Sequence, residues 1–269
     1  MATTKPGFRG FVEGVGQGAI NFVEQVGELG QTGVEVFRRG FLPPYRPQLF
    51  FEHMEFIGNG STLLVCLTGL FTGMVFAKQT VYAFGLFRAQ SLVGPTVALT
   101  LTRELAPVLT ALMVTMRAGS AICTELGTMR VTEQVDALST IAVNPSHYLI
   151  APRVIAGTIM VPALAILFDA VGMMGCYLIV VYVERLSPGT LLTRVQSWVD
   201  PEDLYETVIK GAVFGLVVIL VACYKGFNAR GGSKGVGRAT TEAMVMSAVA
   251  IFFLDYVLDL VLVGSSHQR

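Results

Sequence analysis

The sequence predicts an all-α integral membrane protein: an interfacial N-terminal helix, then five transmembrane helices, with the N-terminus cytoplasmic and the C-terminus outside. Three observations predict it. The 269 residues are 53% hydrophobic and only 14% charged, where a soluble domain carries about 25% charge, and mean hydropathy is +0.62. Five segments are apolar over the roughly 20 residues that a bilayer core of about 30 Å requires. Lysine and arginine, finally, fall unevenly between the two sets of connecting loops.

The five apolar segments are 56–77, 92–116, 149–183, 204–224 and 241–263. The third is too long for one straight span and contains Pro162, so a kink, a tilt or an extension beyond the bilayer is expected. With the N-terminus inside, the cytoplasmic side receives Lys5, Arg9, Arg38, Arg39, Arg46, Arg117, Arg130, Arg153, Lys225, Arg230, Lys234 and Arg238. The outer loops receive only Lys78, Arg88, Arg185 and Arg194, before the terminal Arg269. Positive charge collects on the cytoplasmic side, and this count fixes the orientation.

Residues 1–48 form one region and 49–269 a second. In the first, Val12, Val15, Ala19, Phe22, Val26, Leu29, Gly33 and Val36 recur at spacings of three and four. That spacing gives a helix with one apolar face, suited to the membrane interface until Pro43-Pro44 ends it. A frayed tail and a helix packed on a partner are the alternatives, and five glycines between Gly14 and Gly30 weaken any helix there. No cleavable signal peptide is expected, because residues 1–40 lack a continuous apolar core. The fourth span starts clearly: Asp200 caps, Pro201 suits the first turn, and Glu202 and Asp203 favour the positive helix end. Trp198 precedes it, placed for the outer interface.

Several chemistries are excluded. Zero net charge removes a general electrostatic case for nucleic acid. Cys66, Cys123, Cys176 and Cys223 have neither metal nor disulfide spacing and read as small buried hydrophobes. His53, His147 and His267 are scattered. The glycine-rich run 231–238 lacks the Gly-Lys-Ser/Thr of a phosphate loop, so no nucleotide-hydrolysing site is expected here. Asn59-Gly60-Ser61 is a chance sequon.

Two features remain. Arg103 and Glu104 lie inside the second apolar segment, Asp169 in the third, Lys210 in the fourth, and Asp255 and Asp259 in the fifth. Charge at membrane depth is costly and usually marks a substrate or ion path, although Lys210, six residues past Leu204, is close enough to the end of its span to snorkel outward. The second feature is the polar segment 130–140, which draws as a two-faced helix: Val131, Val135 and Leu138 on one side, Arg130, Glu133, Gln134 and Ala137 on the other. Such a helix either packs on its own bundle or serves as a lever for a separate motor.

The runs LTRELAPVLTALMVTMRAGSAICTELGTMRVTEQVDAL, VNPSHYLIAPRVIAG, GFNARGGSKGVGRATTEAM and LDYVLDLVL resemble the MlaE/YrbE permeases over roughly residues 50–263. These are membrane subunits of ABC transporters that work with MCE-domain proteins to move phospholipids between Gram-negative membranes. The resemblance implies a multi-pass chain of the bacterial inner membrane with its C-terminus in the periplasm. It further implies a homodimer with a lipid cavity at its interface, a cytoplasmic ABC ATPase and a periplasmic MCE-domain protein as partners, and no cofactor on this chain, ATP and magnesium residing on the ATPase. Arg103, Glu104, Lys210 and Asp255 match charged positions of the family and are the expected cavity residues. Glu125, Arg130, Glu133, Gln134 and Asp136 fall in the expected ATPase-coupling helix. An ion-coupled carrier or channel using the intramembrane charges is the rival reading, and a scaffold that only anchors MCE proteins a third.

Overall fold

The structure, a computed structural model, describes residues 47–141 and 145–266, together with residue 24, 27–31 and 33–34. Helices account for nearly all of it, and among the described residues there is no strand. In chain order they are α1 (Pro47–Gly85), α2 (Gln90–Val131), α3 (Gln134–Thr140), α4 (Tyr148–Val183), α5 (Pro188–Trp198), α6 (Pro201–Phe227) and α7 (Gly232–Ser266). Five of them, α1, α2, α4, α6 and α7, are long and apolar enough to cross a membrane. The five expected spans are therefore present, with longer ends. The second does not stop near residue 116 but continues as helix to Val131, 42 residues in all and about 60 Å at 1.5 Å per residue.

Small residues let the helices approach. In a bilayer, close packing rather than water exclusion drives helix association, so interfaces favour glycine. The α1–α4 seam follows that rule: a methyl group on Gly73 would overlap the Gly172 carbonyl, and one on Gly69 would lie 2.9 Å from the Phe168 carbonyl. Beside Pro162 of α4, Gly211 of α6 leaves no room for a side chain, its missing Cβ falling 2.9 Å from the proline Cα. The helix runs on through Pro162. The central element is α6, with 67% of its most apolar window buried, against 11% for α7. On α7, Val245, Val249, Phe252, Phe253, Tyr256 and Leu260 are all exposed. These leave an apolar stripe of α7 uncovered, as Leu63, Leu67, Phe71 and Val75 do on α1.

Three sequence expectations change. Lys210 does not snorkel outward: it is fully buried and points to neighbouring helices. The segment 130–140 is two pieces rather than one helix, because α2 ends at Val131 and α3 begins at Gln134. The break has a local cause. The β-branched pair Val131-Thr132 disfavours continuation, and the Thr132 hydroxyl competes for backbone by donating to the Thr128 carbonyl at 2.8 Å. Glu133 then adopts φ 60°, a left-handed conformation costing about 1–2 kcal/mol for a non-glycine residue. Burial of Val135 and an Arg130–Asp136 ion pair at 2.5 Å across the turn offset that cost. Third, the link between the third and fourth spans holds an additional helix, α5. Its Leu191 packs against Gly94, and Trp198 at its end is half exposed.

The expected interfacial helix falls mostly outside the described residues. Its described part is helical and lies on α6: Leu29 is buried, and the Tyr224 hydroxyl donates to the Glu28 carboxylate.

Candidate functional site

A wide π-helical turn in α2 opens the site. Over Leu101–Leu105 the Ala106 N–H bonds back to the Leu101 carbonyl, five residues earlier, so the Thr102 carbonyl loses its usual partner. Pro107 has no N–H, which also strands the Arg103 carbonyl four residues before it. Side chains of α6 satisfy both. The Thr207 hydroxyl donates to the Thr102 carbonyl at 2.6 Å, and Lys210 Nζ donates to the Arg103 carbonyl at 2.9 Å. Such π turns occur frequently at functional positions.

Lys210 Nζ is the centre of the site. It lies 3.0 Å from Glu104 Oε1, 2.5 Å from Asp259 Oδ1 and 3.3 Å from Asp255 Oδ1. The last is an ionic contact outside hydrogen-bond geometry, since that Asp255 oxygen has no hydrogen-bond partner among the described residues. A buried ammonium is tolerated only when paired, and here three carboxylates from two other helices hold it. The cluster is closed on the lysine side and open on the carboxylate side: Lys210 is fully buried, whereas the Glu104 and Asp259 side chains are 41% and 34% exposed.

Arg103 turns to a second group. Its Nε donates to Asp203 Oδ1 at 2.7 Å, Nη2 makes an ion pair with the same oxygen at 2.6 Å, and Glu206 stands 3.9 Å away. Asp203 does two jobs, because its Oδ2 accepts from the Asp200 backbone N–H at 2.8 Å and so closes the first turn of α6. Next to it, the Thr102 hydroxyl donates to Asp169 Oδ2 at 2.9 Å, tying α2 to α4. Of the expected cavity residues, Glu104, Lys210 and Asp255 therefore meet, while Arg103 joins them only through its carbonyl. Asp203 and Glu206 are missed by sequence reading, as is the central place of Asp259. Spacing offered a signal for one: Asp255 and Asp259 are four residues apart, hence on one helix face.

The residues expected at the coupling helix sit at the other end of α2. Glu133 and Gln134 are exposed. Arg130 and Asp136 engage each other, with the Arg130 guanidinium 5.7 Å from the Phe227 ring. Glu125, 53% exposed, reaches the nearly buried Arg153 at 2.6 Å. Nearby, Thr124 and Thr240 share a hydrogen bond of 3.0 Å, and Glu242 accepts from Lys225 at 3.3 Å and Arg238 at 2.9 Å. These contacts gather the ends of α2, α4, α6 and α7 into one layer.

Comparison with known proteins fits these positions into a family. The family described as Permease MlaE matches residues 50–261, which include both the Lys210 cluster and the α2–α3 turn. The chain belongs to the MlaE permease family. With its five apolar helices it is a multi-pass membrane protein. A probable ABC transporter permease protein of Rickettsia felis is 40% identical over 244 residues, 91% of this chain and 94% of the relative. The intermembrane phospholipid transport system permease protein MlaE of Haemophilus influenzae is 34% identical over 262 residues, 95% and 98% of the two chains. The chloroplastic protein TRIGALACTOSYLDIACYLGLYCEROL 1 of Arabidopsis thaliana is 39% identical over 208 residues, 77% of this chain and 59% of that protein.

Proposed function

We propose that this MlaE-family chain is the permease subunit of an ABC transporter that moves phospholipids between the inner and outer membranes. It works as a homodimer in the inner membrane, N-terminus inside and C-terminus in the periplasm, with a separate ATPase and an MCE-domain protein. The observation that carries this reading is the Lys210 cluster: a fully buried ammonium held by three carboxylates within the apolar helices, open on the carboxylate side. Ionisable side chains within membrane spans are rare, pair with one another and mark substrate or ion pathways. The Haemophilus relative, an intermembrane phospholipid transport permease, supports phospholipid as the cargo class. Asp255 and Asp259 lie on α7 beside its exposed apolar stripe, and a second copy seated on that stripe would close a cavity over the cluster.

Lys210 is fully committed to its carboxylates, so Arg103, 39% exposed, is the cation of this site that meets a lipid phosphate. ATP and magnesium belong to the partner ATPase, and no cofactor is assigned to this chain. The α2–α3 turn docks that ATPase through Glu133 and Gln134, while Arg130 and Asp136 hold the turn in shape.

Glu133→Lys tests the docking. Both residues are non-glycine side chains in the same left-handed conformation, so the change reverses a charge at nearly constant backbone cost. Inside-out membrane vesicles carrying the parent chain should capture the purified ATPase and right-side-out vesicles should not. Glu133→Lys should weaken capture by about tenfold or more, since like-charge contact at an interface costs several kcal/mol. Undiminished capture by the variant contradicts the docking role. Capture by right-side-out vesicles alone contradicts the orientation.

A further inference from the structure

The geometry points to the Glu125–Arg153 ion pair as the link that passes movement of the α2–α3 turn into α4, and so couples ATP turnover on the partner to the lipid cavity. This inference rests on the docking role proposed for the turn. Glu125 lies on the last stretch of α2, less than two turns before Val131, where the helix ends and the turn begins. Arg153 lies in the first turns of α4, its side chain 3% exposed. A guanidinium so buried is costly to leave unpaired, and its one bonded nitrogen, Nη2, donates to Glu125 Oε1 at 2.6 Å. Nε and Nη1 are buried without a hydrogen-bond partner among the described residues. Losing Glu125 would strip the cation of its sole carboxylate contact among the described residues, so α4 follows Glu125 when α2 moves. The two spare donors leave Arg153 able to take another acceptor in a second arrangement, which a two-state coupling element requires.

Both ends of the link are stiff, and the far end reaches the site. A Cβ on Gly226 would lie 2.6 Å from the Cys123 carbonyl, so α6 packs directly on the stretch of α2 that carries Glu125. The seams at Gly73 and Gly211 hold α4 against α1 and α6. Sixteen residues beyond Arg153, about 24 Å along the helix at 1.5 Å per residue, Asp169 accepts the hydrogen bond of Thr102, the neighbour of Arg103. The helices α2 and α4 are thus pinned to each other at two polar points, one beside the turn and one beside the charged site.

The complex of this chain with its ATPase is placed in vesicles of phosphatidylethanolamine and phosphatidylglycerol containing a fluorescent phosphatidylglycerol. ATPase stoichiometry, ATP turnover and labelled lipid moved per ATP are then measured. Glu125→Gln, at a half-exposed position, removes the charge but keeps an oxygen to accept from Arg153, so it should keep the stoichiometry and keep turnover within about twofold while lipid moved per ATP falls about tenfold or more. Glu125→Asp keeps the charge and should recover most of the loss. Lipid per ATP equal to the parent's in Glu125→Gln overturns the proposal. So does a parallel loss of turnover and lipid movement, which would make Glu125 a folding or docking residue. A parent chain that carries no ATPase overturns the functional reading itself, an outcome seen before any variant is compared.

Discussion

Lys210→Ala is expected to remove nearly all lipid movement and to lower the yield of folded complex. The substitution leaves Glu104, Asp255 and Asp259 facing one another without a cation, one oxygen of each within 4.8 Å of the others, and strands the Arg103 carbonyl again. Removing one partner of a buried pair costs about 3–5 kcal/mol. Glu104 and Asp259 are open enough for water to screen them, so the lower end applies, about 3 kcal/mol or roughly a hundredfold in an equilibrium. A second variant separates site from scaffold. Lys210→Ala combined with Asp259→Asn removes one repelling carboxylate and should regain folded yield without regaining transport. Arg88→Ala, an exposed loop charge, should behave as the parent in both measurements. Normal lipid movement by Lys210→Ala would show that the cluster has no part in the path.

Gly73→Val should have the largest effect on stability. Its side chain would occupy the space of the Gly172 backbone, and a carbonyl in a helix cannot yield as a flexible side chain does, so α1 and α4 must separate. Overpacking costs about 1–3 kcal/mol and more where backbone has to shift. At roughly 2–4 °C per kcal/mol for a chain of this size, the unfolding temperature of detergent-purified protein should fall by about 10 °C. Gly237→Ala, with open space around the added methyl, should change it little or raise it slightly. Equal unfolding temperatures for Gly73→Val and the parent would mean that the α1–α4 seam is looser than its geometry.

The spans were legible because hydropathy sums over about 20 residues, and one misplaced charge does not hide a signal of that length. The start of α6 was legible because Asp200, Pro201 and Asp203 act within one turn. Less legible was where a side chain turns. Lys210 sits six residues from Leu204, and that spacing alone describes a snorkelling lysine as well as a buried one; three carboxylates from two distant helices decide it. The Arg103–Asp203 pair spans 100 positions and has no local signature. The break at Glu133 was hidden because apolar periodicity continues across it, while the left-handed turn depends on the tertiary fit of Val135. One clue was local and easy to pass over: Pro107 announces a free carbonyl at Arg103, which is where the lysine docks.

The central claim is that this chain moves lipid only when driven by a separate ATPase. The most direct measurement is movement of a fluorescent phospholipid in vesicles holding the purified chain, alone and in complex with its ATPase, with and without ATP. Lipid should move only with the complex and ATP together. Lipid or ion movement by the chain alone, undiminished without ATP, would contradict the account and make the Lys210 cluster the relay of an ion-coupled carrier.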